Sequence, residues 1–321
     1  MKKFYRDKPN DAIAQAYLRQ YEEPSKHHPY QHGDAWMFRE DLSNGLFPYD
    51  WRKRKEQFQV TLQNVPEHFQ QHLIDALPTR DERHHFHVAI LESVEEIADN
   101  LVRYGRAVYE FVQFTETKPK EFILMDISDL DLVIKDKVVI QRNIPLRAQQ
   151  ELNLPSSIEI PRTKCFIIDF PETLGGRDKY MKLLNDLSKP FDESFYGFAM
   201  SHIERKMPEY NFNEHHRINK EFLWAATREI AWHHRSVGGD NDLWFPHYAI
   251  LRRLRFRRSK LILRDHILEN LISIIKDIGK QLEIALEIKI TNTLQSASEI
   301  DTAILAWQNG TLEYKDALKF T

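Results

Sequence analysis

The sequence is poor in cysteine and lacks both long apolar runs and a secretion leader. Cys165 is the only cysteine among 321 residues, which excludes an intrachain disulfide and fits a reducing compartment or a virion-like particle. No stretch approaches the roughly 18 apolar residues of a membrane span. The first residues carry two lysines without the apolar core of a signal peptide. We therefore expect a soluble protein with no membrane contact.

The sequence also has no strong charge imbalance. The formal net charge is only -3, which excludes a protein that is a polycation as a whole. The apolar share of 42% is typical of a globular chain, and the length is sufficient for two domains. A cluster of cations in this sequence is therefore a local excess.

Motifs that mark enzymes are absent from the sequence. It contains no GxSxG, GxxxxGK[ST], GxGxxG, HExxH, paired CxxC or EF-hand pattern. Cys165 lies in the apolar run CFIIDF, which is typical of a core thiol. Gly175-Gly176 is interpreted as a turn before a helix, because glycine tolerates positive φ. We predict no catalytic residue and no cofactor, and hence no enzyme.

Fifteen histidines raise the possibility of a metal site. They cluster as His27-His28 with His32, His84-His85 with His87, His215-His216, and His233-His234. Adjacent side chains on a helix point about 100° apart, so a pair does not readily chelate one ion, and a site needs three or four converging ligands. We predict surface or helix-end histidines and no metal. The acidic residues Glu92, Glu95, Glu96 and Asp99 are interpreted as the solvent face of a helix.

A dense run of cations precedes an amphipathic helix near the end of the chain. Seven basic residues fall between 252 and 264: Arg252, Arg253, Arg255, Arg257, Arg258, Lys260 and Arg264. Apolar residues then recur at spacings of three and four from Ile267 to Leu282, which predicts a helix with one packing face. The run itself is compatible with a strand or a helix. Its guanidinium groups could face DNA phosphates, carboxylates of a neighbouring subunit, or only solvent.

Local patterns predict an α+β fold, in which a helix and antiparallel strands form one domain that precedes a mainly helical second half. Helices are predicted at Asp11–Tyr21, Glu67–Ala76, His85–Arg103, Asp178–Leu187, Phe195–Lys206 and Glu214–His234. Strands are predicted at Ala107–Val112, Phe122–Met125, Cys165–Phe170 and Glu287–Ile290, with a hairpin of Leu130–Ile134 and Val138–Ile140. Ser296-x-x-Glu299 predicts a capping box, and Gly310 a helix stop.

Four regions follow from these patterns. We predict a docking arm at 1–80, an α+β domain at 81–176, a helical region with the basic segment at 177–290, and a helix–Gly–helix end at 291–321. Phe47, Pro48, Tyr49 and Trp51 are interpreted as anchors of the arm. The alternative is a plain extended surface loop. If residues 1–50 are a docking arm, their removal weakens assembly and leaves the rest folded.

Two segments resemble the wing region of portal proteins of tailed bacteriophages. The first is VRYGRAVYEFVQF, whose matching positions are Tyr104, Gly105, Ala107, Val108, Tyr109 and Glu110. The second is SSIEIPRTKCFIIDFPETLGGRDKYMKLL, whose matching positions are Ile160, Pro161, Lys164, Phe166, Ile167, Ile168 and Gly175-Gly176. The segments LRDHILENLISIIKDIG, EIKI and AILAWQNGTLEYKDAL are similar to the C-terminal part of several portals. The resemblance covers about residues 85–321, in a chain that is short for a portal.

This resemblance implies a non-enzymatic structural protein of the virion. Portals are cyclic homo-oligomers, usually dodecamers, at one capsid vertex, assembled in the host cytoplasm. Double-stranded DNA passes through the ring without sequence specificity during packaging and ejection. The implied partners are further copies of the chain, the capsid protein, a tail adaptor protein and the terminase motor.

Two rival functions come from other classes. One is a bacterial DNA-binding or regulatory protein that holds the DNA backbone with Arg252–Arg264. The other is a metal phosphoesterase that uses the histidines. For the portal hypothesis, we expect Arg253→Ala combined with Arg257→Ala to affect assembly or DNA retention rather than monomer stability.

Overall fold

The protein is known from a computed structural model, which describes residues 33–50, 52, 56–79, 85–113, 122–144, 146, 149–150, 155–188, 223–233 and 246–321. The helices are α1 (Gly33–Ser43), α2 (Glu67–Ala76), α3 (Phe86–Tyr104), α4 (Gly176–Ser188), α5 (Pro246–Gln281), α6 (Ala297–Gln308) and α7 (Tyr314–Ala317). The strands are β1 (Phe58–Gln63), β2 (Arg106–Gln113), β3 (Phe122–Asp126), β4 (Leu132–Ile134), β5 (Val138–Gln141), β6 (Ile158–Pro161), β7 (Cys165–Asp169) and β8 (Glu287–Asn292). The predicted α+β class is confirmed.

The strands form small antiparallel sheets rather than one large sheet. Strand β2 is central in the order β3-β2-β7, and β5 is central in the order β4-β5-β6. A two-stranded sheet pairs β1 with β8. One apolar cluster contains Val108 from β2, Val139 from β5 and Ile160 from β6. Side chains from both three-stranded sheets therefore share a single core, as expected when each sheet has one apolar face.

Helix α3 leads directly into β2 through a glycine. Gly105 has φ +67°, and its N–H donates to the Leu101 carbonyl, which ends the helix. The Asn100 side chain donates to the Tyr109 hydroxyl at 3.1 Å and to the Asp126 carboxylate at 2.9 Å. Tyr109 is fully buried, so its hydroxyl requires a partner. The amide of Asn100 thus fixes α3 against β2 and β3.

A second group of aromatic rings packs around α1 and α4. The Phe38 ring lies 6.2 Å from the Tyr180 ring and 5.4 Å from the Trp232 ring, centre to centre. Tyr180 stacks on Phe170 at 3.9 Å. The Trp232 indole N–H donates to the Asp41 carboxylate at 2.9 Å. These contacts bring together residues far apart in sequence, so this core depends on the tertiary fold.

The described residues divide into two compact units that interleave along the chain. One unit comprises the described residues of 60–169 and 270–290, and the other those of 33–59, 170–269 and 291–321. The N-terminal part of α5, up to residue 269, belongs to the second unit. There, Ile250, Leu254 and Leu261 pack against Ile300 and Ile304 of α6. The four regions drawn from the sequence remain a prediction.

Most predicted elements in the described residues are confirmed. Helix α2 has the predicted bounds, the hairpin of β4 and β5 is present, and α3, α4, β2, β3, β7 and β8 lie where expected. Ser296 and Glu299 form the predicted capping box, and Gly310 has φ +70° just after the end of α6. The predicted helices Asp11–Tyr21 and Phe195–Lys206 lie outside the described residues.

The predicted helix Glu214–His234 is confirmed at residues 223–226 and wrong at residues 227–233. Residues 223–226 are helical, but 227–231 form a turn and Ala231 has φ +63°. Left-handed backbone costs an alanine about 1–2 kcal/mol, so the surrounding packing must impose it. Trp232 is only 1% exposed. Burial of the indole is the gain that offsets the strained turn.

Residues of the predicted docking arm contribute to a core. Ala35, Phe38, Leu42, Leu46 and Phe47 are each at most 1% exposed, whereas Tyr49 is 89% exposed. Trp51 lies outside the described residues. Buried side chains of this number stabilise their own fold, so we now expect removal of residues 1–50 to destabilise the protein rather than only to weaken assembly.

We predict that Phe38→Ala lowers the free energy of unfolding by about 3–5 kcal/mol, because it opens a cavity in a packed aromatic cluster. Tyr49→Ala is the matched control. The exposed ring of Tyr49 should contribute no more than about 0.5 kcal/mol. Chemical denaturation monitored by circular dichroism measures both. Equal, small losses would show that residues 33–50 are a detachable arm after all.

Candidate functional site

The predicted basic segment lies within a single long helix. Helix α5 runs from Pro246 to Gln281, 36 residues, or about 54 Å at 1.5 Å per residue. The strand alternative for residues 252–258 is therefore wrong. At 100° per residue, the cations spread over several sides of the helix. They consequently form no single basic surface that includes all seven.

Arg252 is held by protein groups of the 223–233 segment. Its guanidinium donates to the Trp232 carbonyl and to the Thr227 hydroxyl, both at 2.7 Å, and lies 4.9 Å from the centre of the Trp224 ring. Burial, and after it the charge of Arg255, lower the pKa of Arg252 to about 10. The side chain is still a cation near pH 7, but it is committed to internal acceptors.

Arg257 and Arg264 bind backbone carbonyls of distant segments. Arg257 donates to the Gly45 carbonyl at 2.8 Å and to the Gln295 side-chain oxygen at 3.3 Å. Arg264, 1% exposed, donates to the Gln295 carbonyl at 2.9 Å and to the Asp265 carboxylate at 2.7–2.8 Å. Burial lowers the pKa of Arg257, and Arg264 lowers it further. Buried guanidinium groups need such acceptors, so both arginines stabilise the fold.

Arg258 is the remaining arginine with a described partner. It forms an ion pair with Asp301 of α6 at 2.5 Å, in a partly exposed position. Such a pair contributes about 0.2–1 kcal/mol because water screens both charges. The ion pair joins α5 and α6, the same two helices that the apolar contacts of Leu254 and Ile300 bring together, so it mainly fixes their relative position.

Three cations of the segment have no hydrogen bond or ion pair with the described residues. Arg253 and Arg255 are exposed. Lys260 is half-buried, and its ammonium nitrogen lies 5.7 Å from the centre of the Phe256 ring. Burial lowers the pKa of Lys260 to about 8; Arg257 lowers it as well, while Asp41 raises it. The sequence could not separate these three residues from the four that are bonded internally.

The histidines show no metal centre in the part of the chain that is described. No group of three or more His, Cys, Asp or Glu residues in that part is arranged to hold an ion. His27, His28, His32, His84, His215, His216 and His234 fall outside it. His233 is described, and burial and Arg253 lower its pKa to about 4, with Asp41 opposing.

The other candidates from the sequence have structural surroundings. Cys165 is 3% exposed in the sheet core, and burial raises the pKa of its thiol to about 12, so the predicted core thiol is confirmed. Gly175 and Gly176 have φ +103° and +70° in a turn before α4, which confirms the turn interpretation. Glu92, Glu95, Glu96 and Asp99 are half-buried on α3, and Asp99 pairs with Arg103 at 2.9 Å.

Comparisons with known proteins gave no match, whether to family models, curated proteins or solved structures. Among the helices of the described residues, none combines the length and the apolar character that a membrane crossing requires. A functional proposal therefore depends on the residues themselves.

We predict different effects for the two arginines that the sequence placed together. Arg257→Ala should lower the free energy of unfolding by about 1–3 kcal/mol, because the Gly45 carbonyl and the Gln295 side chain lose their charged donor. Arg253→Ala, at an exposed position, should change it by at most about 0.5 kcal/mol. Denaturant titration of each single variant measures this. Equal effects would contradict the different roles that the contacts give these side chains.

Proposed function

We propose that this chain is the subunit of a closed ring, a portal through which double-stranded DNA enters and leaves a phage-like particle. The observation that supports it is the pairing of the two segments that carry the portal resemblance. Val108 is opposite Ile167, and Tyr109 is opposite Phe166, in adjacent antiparallel strands. Segments more than fifty residues apart thus meet in one sheet, as parts of one wing would.

The turns at both ends of this motif have the backbone that glycine permits. Gly105 ends α3 with φ +67° and starts β2. Gly175 and Gly176 follow β7 and start α4. A Cβ at Gly176 would lie 2.7 Å from the Glu172 carboxylate, which is the end of a flexible side chain and can move away, so it is the φ of +70° that favours glycine there. The glycine positions of the resemblance are therefore constrained by the fold, which favours reading them as parts of one motif.

Most cations of the basic segment bind groups of the protein itself, and this is compatible with a channel through which DNA passes. A channel that bound phosphate strongly would slow translocation, since each neutralised phosphate adds affinity. Four of the seven cations are bonded to protein groups, and only Arg253 and Arg255 are fully exposed. In the proposed ring, the chain acts with capsid protein, tail adaptor and terminase motor and performs no chemistry itself.

We expect the purified full-length protein, or the protein isolated from particles, to form a discrete closed oligomer. Native mass spectrometry gives the subunit number, and negative-stain images show whether the assembly is closed. Phe38→Ala serves as a control for misfolding, because aggregates of an unfolded variant lack a defined mass. A monomer at micromolar concentration, together with the absence of rings from any particle, would contradict the proposal.

The rival function is binding of the DNA backbone by the basic segment. It is supported by the exposure of Arg253 and Arg255, whose guanidinium groups can reach phosphates. Two phosphate contacts would add about -1.8 to the slope of log K against log salt, whereas seven would add about -6. Fluorescence anisotropy with a DNA duplex should therefore show a slope flattened by about 1.8 in Arg253→Gln, Arg255→Gln. The control variant Lys276→Gln, Lys289→Gln removes two exposed lysines elsewhere. A similar flattening in the control would mean that the segment has no special role.

A further inference from the structure

A half-buried region near Gly45 contains more positive than negative charge. On α5, Arg253, Arg257 and Lys260 follow one another at spacings of four and three and therefore share a helix face. Among the charges of the described residues that act on Lys260, Asp41 supplies the one carboxylate, and it already accepts a hydrogen bond from the Trp232 indole. Cations crowded in a partly dry region are unfavourable unless an anion compensates them.

Two polar groups in this region lack a hydrogen-bond partner in the described structure. One is the Lys260 ammonium, which has three donors. The other is Nδ1 of His233, which is buried. Both side chains contact the same ring: the imidazole of His233 lies 5.4 Å from Phe256, and the Lys260 nitrogen 5.7 Å from it. The unsatisfied groups are thus neighbours around a single aromatic side chain.

The turn at Gly45 brings the cations together. The Gly45 carbonyl accepts from Arg257. A Cβ on Gly45 would lie 3.4 Å from the Lys260 nitrogen and 3.8 Å from the ring of Tyr49, which is 89% exposed. The Lys260 ammonium thus lies beside Gly45, where a side chain would touch it. Gly45 has φ +67°, so a larger residue is disfavoured there in any case.

We propose that Lys260, His233 and Arg253 form a binding site for a small oxyanion, a phosphate or carboxylate group of a soluble ligand. The anion would accept from the Lys260 ammonium and the exposed Arg253, and from His233 when the imidazole is protonated. Arg252, Arg257 and Arg264 add positive potential from the same helix, and Asp41 opposes it. We call these three residues the oxyanion site. The inference does not depend on the proposed ring.

The proposed site implies a definite dependence on pH. Without a ligand, burial and Arg257 hold the pKa of Lys260 at about 8. An anion binds the charged ammonium, so the contribution of Lys260 to the affinity is full below that value and falls by up to tenfold per pH unit above it. Binding must in turn raise the pKa of Lys260.

The test uses the full-length protein with inorganic phosphate as the probe, at constant ionic strength set with sodium chloride. At pH 7, the Tm should rise by about 2 °C for each tenfold increase in phosphate above its dissociation constant. Lys260→Met and Arg253→Gln should lose this rise. Lys276→Met, which removes an exposed lysine of the same helix, should keep it. A parallel series with acetate distinguishes a phosphate site from a carboxylate site.

Each outcome decides the proposal. A rise that is present in the wild type and Lys276→Met but lost in Arg253→Gln supports it even if Lys260→Met fails to fold, because Arg253 is exposed and its loss leaves the fold intact. An equal rise in every variant would mean general salt stabilisation and would overturn it. Absence of any rise in the wild type with both anions would also overturn it. Nuclear magnetic resonance of the lysine side chains checks the mechanism, since saturating phosphate must raise the pKa of Lys260.

Discussion

The second unit depends on acceptors for the guanidinium groups of α5 that its packing buries. Arg264 is only 1% exposed, and leaving such a charge without partners would cost several kcal/mol. The chain meets this constraint with backbone carbonyls: Gln295 accepts from Arg264, and Gly45 accepts from Arg257. The second bond spans 212 residues of sequence. Polar bonds, as well as apolar contacts, therefore fix how α5 is rotated among the segments around it.

The unit that contains the sheets meets the same constraint on a smaller scale. Asn100 of α3 donates to the Tyr109 hydroxyl and to Asp126, and Ser128 donates to the same Asp126 carboxylate at 2.6 Å. Each partner lies within about thirty residues of the others in sequence. Local bonds of this kind form with little loss of loop entropy, whereas the hydrogen bonds of Arg257 and Arg264 join α5 to distant segments.

This difference in range explains what could be predicted from the sequence. Helix α3, strands β2, β3 and β7, and the hairpin of β4 and β5 carry their own periodicity, so these elements and the turn at Gly105 follow from local pattern, whereas β6 was not predicted. The sequence of residues 227–231 continues the apolar spacing of a helix, but the structure has a turn there. The turn follows from the burial of Trp232, which cannot be read from the local sequence pattern. Similarly, the residues next to Arg257 in the sequence do not indicate that its acceptor is the Gly45 carbonyl. The partner of a buried cation is a property of the tertiary fold.

A run of cations in a sequence is therefore weak grounds for assigning a binding surface. Counted along the chain, residues 252–264 form one basic block; in the folded protein, the block separates into residues with different surroundings. Arg252 and Arg264 serve the fold, Arg255 faces outwards, and Lys260 is half-buried without a described acceptor. Exposed cations are solvated by water and need no protein partner, while internally bonded cations already have their acceptors. Only the half-buried ammonium is costly as it stands, so a ligand contributes most at that position.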